Sequence, residues 1–334
     1  MGIVDRAVTS EGEHLALSTL QLEVTVSRAV MYEKFGGPEV LELREVPEPH
    51  TGPGEVRVHV AAAGLNPMDW LLASAPEVAA GFGITLPSGF GYDLAGVLDE
   101  VGEGADGFTV GDHVYGGALG RAVADFVVLK APSEGRDRLF VTPAGISDEV
   151  ASTLPVAGNT AAAALAAIDV RSGDTVLVGG AAGGVGVFVV QLAKLGGATV
   201  IGTASSASFD FLRGLGADPG TYGPGLAERV RDLAPHGVTA ATDLFGTETA
   251  EAALALGVPP GRISTIAAGP NPPGGVRATG GTEAPPDALK RITDAIVAGE
   301  LTVPIAATFP VDEIRHAVTL QAGRHVQGKI VVKL

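Results

Sequence analysis

The most informative stretch of the sequence is Thr175-Val-Leu-Val-Gly-Gly-Ala-Ala-Gly-Gly-Val-Gly-Val-Phe-Val-Val-Gln-Leu-Ala-Lys194. Its apolar start, Val176 to Val178, predicts a short buried strand, and Val185 to Leu195 predicts an apolar helix that follows closely. Glycines between a strand and a helix let the backbone approach a pyrophosphate, whose charge is stabilised by the unpaired N–H groups and the dipole of the helix. The stretch therefore predicts a dinucleotide-binding unit.

The spacing of the glycines departs from the usual dinucleotide motif. Gly180, Gly183 and Gly186 are each three residues apart, whereas the usual pattern is G-x-G-x-x-G. A tight strand-to-helix turn that binds nothing also contains glycines, so this alternative stays open. The strand before the glycines and the helix after them favour a phosphate loop. We predict that Gly180, Gly183, Gly184, Val185 and Gly186 bind the cofactor.

The second strand of the unit, Ala198 to Thr203, indicates which cofactor is bound. An acidic residue about 20 positions after the loop would bind the 2′-hydroxyl of the adenosine ribose, and none is present. Ser205 and Ser206 leave room for a 2′-phosphate and can donate hydrogen bonds to it, so NADPH is favoured over NADH. No Lys or Arg follows directly. Tyr222 is a further candidate for this site, whereas Arg213 suits a solvated helix face.

The rest of the chain predicts an α/β protein with two domains. Residues 151–300 alternate strands with helices, as in a doubly wound parallel sheet of the Rossmann type. Residues 27–150 contain short alternating segments between glycine-rich turns, which is typical of a small β-rich domain. Residues 301–334 return to strand-like segments, and Lys329–Leu334 is expected to pair with the first domain. Residues 1–26 lack the features of a secretory signal and are expected to be a loosely attached extension.

The composition excludes several classes of partner and site. The 334 residues carry a formal net charge of −16, which repels nucleic acid and anionic lipid. No apolar run approaches the roughly 18 residues needed to cross a bilayer. The absence of cysteine excludes disulfides, thiolate zinc sites and a Cys nucleophile, and it fits a reducing compartment. We therefore expect a soluble, cytoplasmic protein with no nucleic-acid or membrane partner.

Several blocks, in this order along the chain, resemble those of a known family. They are Ala29-Val-Met-Tyr-Glu-Lys-Phe-Gly-Gly-Pro-Glu-Val-Leu41, Gly64-Leu-Asn-Pro-Met-Asp69, Gly96-Val-Leu-Asp-Glu-Val-Gly102, Gly107-Phe-Thr-Val-Gly-Asp112 and Gly328-Lys-Ile-Val331. Together with the glycine-rich loop they resemble the zinc-independent medium-chain dehydrogenase/reductases, and within these the NADPH:quinone oxidoreductases of the zeta-crystallin-like group. The resemblance implies a GroES-like catalytic domain, an inserted Rossmann domain, a cleft between them for cofactor and substrate, and a homodimer.

The resemblance also implies chemistry without a metal. Zinc-dependent relatives hold a catalytic metal on Cys and His ligands near the positions of Asn66 and Tyr92. Here Asn-Pro replaces the Cys-containing segment, and Gly91-Tyr-Asp93 replaces Gly-His-Glu. We therefore predict NADPH as the cofactor and no bound metal.

Three residues in these blocks are the candidates for catalysis. Asn66 resembles an active-site Asn that hydrogen-bonds the substrate or the nicotinamide ribose, although an Asn before Pro67 also suits the start of a turn. Tyr92 is expected to point into the cleft and donate its phenolic proton to a carbonyl oxygen, or else to be a buried Tyr at a strand. Asp69 precedes Trp70-Leu-Leu-Ala, which favours a helix N-cap over a catalytic role.

Two more residues are predicted to bind the cofactor. Thr160 resembles a family position near the nicotinamide carboxamide. Ala267 lies in Ser264-Thr-Ile-Ala-Ala-Gly269, the stretch in which polyketide and fatty-acid enoyl reductases carry a Lys that is missing here.

Three functions remain open at this point. The first is NADPH-dependent reduction of a quinone or a similar conjugated carbonyl. The second is reduction of an enone or enoyl thioester in a biosynthetic pathway, because Trp70-Leu-Leu-Ala-Ser-Ala-Pro-Glu77 predicts a more apolar pocket than that of the bacterial quinone reductases. The third is binding of NADPH without catalysis.

Overall fold

The computed structural model describes residues 25–269 and 271–334. The predicted extension, residues 1–26, lies outside the described residues except for its last two. The described chain forms a β-rich domain and a second domain on a parallel sheet, which confirms the predicted fold class.

The β-rich domain contains eight strands from the first part of the chain and three short helices. The strands are β1 (Val26–Tyr32), β2 (Glu42–Pro47), β3 (Glu55–Leu65), β4 (Ser88–Gly89), β5 (Asp93–Val101), β6 (His113–Gly117), β7 (Phe126–Lys130) and β8 (Arg138–Val141). The helices are α1 (Pro67–Ser74), α2 (Pro76–Gly81) and α3 (Asp148–Ala151). Strands β2, β1 and β4 form a small sheet of their own.

The end of the chain completes the larger sheet of this domain. Two late strands, β15 (Ile305–Pro310) and β16 (Lys329–Lys333), extend it to seven strands in the order β15-β16-β3-β5-β6-β8, with β7 also paired to β3. In the antiparallel pair of β16 and β3, Ile330 lies opposite Leu65. This is the pairing that the apolar run at the end of the chain predicts.

The prediction of only strand-like segments after residue 301 is wrong in one place. Helix α10 (Ile314–Ala322) lies between β15 and β16. Ile314, Ala317 and Val318 are the buried residues of this helix, at the i, i+3, i+4 spacing of one helical face. A helix of nine residues with three buried apolar positions shows little helical periodicity in the sequence. The strand patterns on either side of it therefore dominated the prediction.

The second domain has a six-stranded parallel sheet. Its strands are β9 (Thr175–Gly179), β10 (Thr199–Ala204), β11 (Asp218–Thr221), β12 (Ala240–Asp243), β13 (Ile263–Thr265) and β14 (Arg277–Ala278). Their order is β11-β10-β9-β12-β13-β14, so the direction of winding reverses beside β9. Ligands of such sheets bind where the winding reverses, outside the carboxyl ends of the strands, and β9 leads there into the glycine-rich loop.

The helices of this domain cover the parallel sheet. They are α4 (Leu154–Ala167), α5 (Gly186–Leu195), α6 (Phe209–Gly214), α7 (Leu226–Leu233), α8 (Glu248–Ala255) and α9 (Ala288–Val297). Pro155 lies in the first turn of α4, where a missing N–H costs nothing. The predicted domain boundaries at residues 150 and 300 stay predictions. Among the described residues, no helix is both long and apolar enough to cross a membrane.

Candidate active site

A cleft of about 1570 Å³ separates the β-rich domain from the carboxyl edge of the parallel sheet. Both domains contribute to its walls. The residues of the sequence prediction that line it are Asn66, Tyr92, Thr160, Gly180, Gly183, Gly184, Val185, Gly186 and Ala267. The predicted residues that do not line it are Asp69, Ser205, Ser206 and Tyr222.

The glycine-rich loop between β9 and α5 contains glycines with two different roles. Gly180 has φ of +69°, a conformation that favours glycine. A Cβ on Gly186 would lie 2.4 Å from the carbonyl oxygens of both Gly180 and Ala181, so this glycine is required by the turn itself. A Cβ on Gly183 would meet only the oxygen of Gly180, at 3.4 Å, which is an ordinary contact. Gly183 therefore leaves open space on the cleft side of the loop.

That open space fits the diphosphate of a dinucleotide. It adjoins the start of α5, where the backbone N–H groups of Val187, Phe188 and Val189 already donate to the carbonyl oxygens of Gly183 and Val185. The N–H groups of Gly184, Val185 and Gly186 have no such partner among the described residues. Such N–H groups and the positive end of the helix dipole stabilise a phosphate. The loop thus has both the room and the donors that the sequence analysis requires.

A buried polar network lies on the other wall of the cleft. The side-chain amide of Asn66 donates a hydrogen bond from Nδ2 to Oδ2 of Asp93 at 2.8 Å. Its Oδ1 accepts one from Nζ of Lys329 at 2.6 Å, and the same Nζ donates to the carbonyl oxygen of Leu65 at 3.0 Å. Asn66, Asp93 and Lys329 are all buried, so these contacts fix the orientation of the amide. Nδ2 also donates to the carbonyl oxygen of Gly64 at 3.3 Å, so both of its hydrogens are used within the protein.

Asp69 lies beside this network and has a structural contact. Helix α1 begins at Pro67 with Asn66 as its N-cap, so the prediction of Asp69 as the N-cap is wrong by three residues. The carboxylate of Asp69 instead accepts a hydrogen bond from the backbone N–H of Asn66 at 2.7 Å, as the third residue of a capping box does. Proline is well tolerated at the first helical position, which sets the earlier start.

Burial dominates the electrostatics of the network. Loss of hydration raises the pKa of Asp69 to about 7 and also raises the pKa of Asp93. Burial lowers the pKa of the Lys329 ammonium, while attraction to the two carboxylates opposes that shift. The buried ammonium group of Lys329 therefore lies in the cleft wall near two acids. In the sequence, Lys329 appears only as the first residue of a strand, and nothing there signals its burial.

Tyr92 lines the cleft, as predicted, but its proton is already donated within the protein. The phenol donates a hydrogen bond to the carbonyl oxygen of Arg136 at 2.6 Å. Burial raises the pKa of Tyr92 to about 12, so the phenol is protonated at neutral pH. Gly117 makes room for the ring, because a Cβ there would lie 2.1 Å from a ring atom. Donation to a ligand would require the contact with Arg136 to open.

The wall of the cleft opposite Tyr92 contains threonine hydroxyl groups. Thr160, on α4, lies against the turn at Gly281, whose Cβ position is 3.2 Å from the Thr160 hydroxyl oxygen. The backbone N–H of Ala267 donates to the hydroxyl of Thr265 at 3.2 Å. Thr279, just after β14, lines the cleft with a buried hydroxyl that has no hydrogen-bond partner among the described residues. Sequence reasoning missed Thr279, because a single Thr after a two-residue strand gives no pattern.

The residues predicted to hold a 2′-phosphate lie outside the cleft wall, Ser205 and Ser206 after the end of β10 and Tyr222 after the end of β11. Ser205 and Ser206 are exposed there, and Tyr222 is 53% exposed. Arg213 pairs with Asp210 at 2.7 Å on the surface, as expected for a solvated helix face. The structure therefore does not bring these residues together with the glycine-rich loop in one cavity, and their role stays a prediction.

Comparisons with known proteins agree with this architecture. Residues 52–131 match the family model of the alcohol dehydrogenase GroES-like domain, and residues 184–292 match that of the zinc-binding dehydrogenases. The chain is 30% identical over 321 residues to an NADPH-dependent alkenal/one oxidoreductase of Arabidopsis thaliana, an alignment that covers 91% of this chain and 79% of that one. The chain belongs to the medium-chain dehydrogenase/reductase family.

Two further relatives place this medium-chain dehydrogenase/reductase in the quinone oxidoreductase-like branch. It is 39% identical over 184 residues to the quinone oxidoreductase of Pseudomonas aeruginosa, which covers 54% of either chain. A mycobacterial protein solved in complex with NADPH is 30% identical and superimposes with a TM-score of 0.79, covering 92% of this chain and 100% of the other. The alignment with the Pseudomonas enzyme thus spans about half the length of that relative.

Proposed function

We propose that this protein is an NADPH-dependent reductase of quinones or similar conjugated carbonyls that acts without a metal. The observation that carries the proposal is the glycine-rich loop, with open space at Gly183, facing an apolar wall across one cleft. The name of the Pseudomonas relative supports a quinone acceptor. The NADPH in the mycobacterial structure and the name of the Arabidopsis relative support the cofactor.

The residues that we propose for cofactor binding all belong to the second domain. The backbone of residues 180–186 would hold the diphosphate, and the hydroxyls of Thr160 and Thr279 would bind the nicotinamide end near Ala267. Ser205, Ser206 and Tyr222 would bind the 2′-phosphate. NADPH, when bound, supplies a hydride to an electrophilic carbon.

The residues at the zinc-ligand positions of the family do not suit a metal. The chain contains no cysteine, and the described residues contain no cluster of His, Asp and Glu that would hold an ion. The Asn66 amide is already bonded to Asp93 and Lys329, and the Tyr92 phenol stays protonated. Neither side chain presents the charged donor that zinc prefers.

The protein would orient the substrate against an apolar surface of the cleft. Met68, Leu71 and Phe82 contribute to the wall that also holds Tyr92, and apolar side chains there exclude water from the acceptor. Charge that develops on a carbonyl oxygen is stabilised by a nearby donor, for which the Tyr92 phenol is our candidate. The oxygen of a quinone can take its final proton from water, so no stronger acid is required.

A second candidate, reduction of enones and alkenals, is supported by the name of the Arabidopsis relative. NADPH oxidation followed by absorbance separates the candidates, with a benzoquinone in one arm and an alkenal in the other. We expect faster turnover of the quinone at equal concentration. Faster turnover of the alkenal would favour the second candidate, and NADPH binding without turnover of either would favour a non-catalytic protein. The homodimer and the cytoplasmic location stay predictions.

A further inference from the structure

Positive charge is concentrated around the cleft although the chain is strongly acidic. Its formal net charge is −16, yet the charged residues of the described cleft wall are five cations and one carboxylate. The carboxylate, Asp294, pairs with Lys290 at 2.7 Å. Three arginines and Lys329 remain. Such a cleft attracts an anionic ligand.

Of these four cations, Lys329 belongs to the buried network and Arg324 lies on the side of the glycine-rich loop. The charge of Lys329 is offset by the two acids near it, Asp93 and Asp69. Arg324 lies between the rings of Trp70 and Phe245, with its guanidinium carbon 5.8 and 5.1 Å from their centroids. Phe245 borders the loop, because its Cβ is 3.3 Å from the Cβ position of Gly180. The phosphates of a dinucleotide account for positive charge there.

The other two arginines, Arg136 and Arg138, lie on the wall of the β-rich domain. The guanidinium carbon of Arg136 is 4.5 Å from the centroid of Phe82, and its carbonyl oxygen accepts the proton of Tyr92. Arg138 donates to the carbonyl oxygens of Gly135 and Asp137 at 2.9 and 2.6 Å.

Neither arginine pairs with an acid of the described chain. No carboxylate of the described residues lies within salt-bridge distance of Arg136 or Arg138. The neighbouring carboxylate of Asp137 is occupied by Arg121 at 2.6 Å. Most of the other arginines that the structure describes have such a partner, for example Arg28 with Asp125. Two exposed arginines without a carboxylate, beside the candidate acceptor site, therefore have free capacity for an anion.

We propose that Arg136 and Arg138 bind an anionic group, a carboxylate or a phosphate, at the end of the substrate remote from its conjugated carbonyl. The inference rests on the proposed function and narrows its substrate class. Phe82, Leu119 and Phe140 line the same wall and would contact the apolar body between the two ends. Guanidinium groups suit this task because their N–H donors match the geometry of carboxylate and phosphate oxygens.

The test compares acceptors that differ only in charge. We would use a naphthoquinone with a carboxyalkyl chain, its methyl ester and the corresponding alkyl phosphate, each with NADPH. For the unmodified enzyme we expect kcat/KM to be about tenfold higher for the carboxylate or the phosphate than for the ester. Whichever anion is favoured identifies the group. The preference should weaken as salt is added.

Matched variants decide whether the two arginines are responsible. In the double variant Arg136→Gln, Arg138→Gln the ratio of anion to ester should fall to about one, with melting temperature as the check on folding. Arg231→Gln removes an exposed arginine on α7, outside the cleft wall, and should keep the ratio. Equal rates for acid and ester in the unmodified enzyme, or an unchanged ratio in the double variant, would overturn the inference.

The proposed reductase function can be wrong even if the two arginines bind an anion. In that case NADPH is not oxidised with the neutral ester or with either anion. Calorimetric titration of the three compounds into the protein with NADPH then measures the preference as a ratio of dissociation constants. An anion preference that disappears in the double variant would still support the arginine site, and equal dissociation constants would overturn it.

Discussion

Replacing Gly186 and Gly183 one at a time by alanine separates the two roles of the glycine-rich loop. At Gly186 the new Cβ would lie 2.4 Å from two backbone oxygens, against about 3.4 Å for an ordinary contact, so the turn has to open by about 1 Å. Overpacking of this kind costs about 1–3 kcal/mol, and the better helix propensity of alanine returns at most about 1 kcal/mol. We expect a net loss of about 2 kcal/mol.

The same change at Gly183 should leave the fold intact, because its Cβ makes one ordinary contact and otherwise enters the cleft. With about 2–4 °C per kcal/mol for a domain of 150–250 residues, Gly186→Ala should melt roughly 4–8 °C below the unmodified protein, and Gly183→Ala within about 1 °C of it. Differential scanning calorimetry measures both.

For NADPH affinity, Gly183 is the sensitive position, although its replacement by alanine should leave the stability of the fold unchanged. Gly183→Val fills the space assigned to the diphosphate and should weaken NADPH at least about 100-fold, which corresponds to about 2.7 kcal/mol. Titration by fluorescence or calorimetry gives the affinity, and the melting curve gives the folded state. A folded Gly183→Val variant that binds NADPH normally would refute the placement of the cofactor at this loop.

Three further predictions concern the buried network and the choice of cofactor. Lys329→Met leaves two buried acids without their cation and should lower the free energy of unfolding by about 3–5 kcal/mol in urea titrations. Lys333→Met on the same strand breaks an exposed pair with Glu149 and should cost below about 1 kcal/mol; equal losses would contradict the network. Burial raises the pKa of Asp69 from 3.8 to about 7, so the stability from its neutral form is complete below about pH 3.8 and is lost as the pH rises through 7. Asp69→Asn should therefore gain stability relative to the unmodified protein between pH 4 and pH 8 in urea unfolding, and a constant difference would disprove the shift. Ser205→Asp places a carboxylate beside the predicted 2′-phosphate and should reduce the preference for NADPH over NADH about tenfold or more, whereas unchanged affinities would remove Ser205 from the site.

Local pattern explains which parts of the fold were predictable. The strand, glycines and helix of residues 175–195 are contiguous, so their periodicity and composition indicate the unit without any knowledge of distant contacts. The same holds for the alternation of Val56, Val58 and Val60 on β3, all of which are buried. Helix α10 was missed because its nine residues make only about two and a half turns, too few for a helical period to emerge between two strands.

The candidate site was predictable only in part. Asn66 and Tyr92 were identified through a family resemblance, and both line the cleft. Their hydrogen-bond partners were not foreseen, because Arg136 lies 44 residues from Tyr92 and pairs through its backbone carbonyl, which carries no side-chain signature. The helix start at Asn66 followed from Pro67, a local signal that competed with the equally plausible cap at Asp69.

Neighbouring residues were enough to predict the α/β architecture, the family and the glycine-rich loop, because each has a signature in contiguous sequence. The folded chain was needed to show that the Asn66 amide lies between Asp93 and Lys329, which are 27 and 263 residues away along the chain. This contact arises because β16 returns to pair with β3, and the pairing buries Lys329 beside the start of α1. A buried charged group requires polar partners, and these can be far away in the sequence while they are adjacent in the fold.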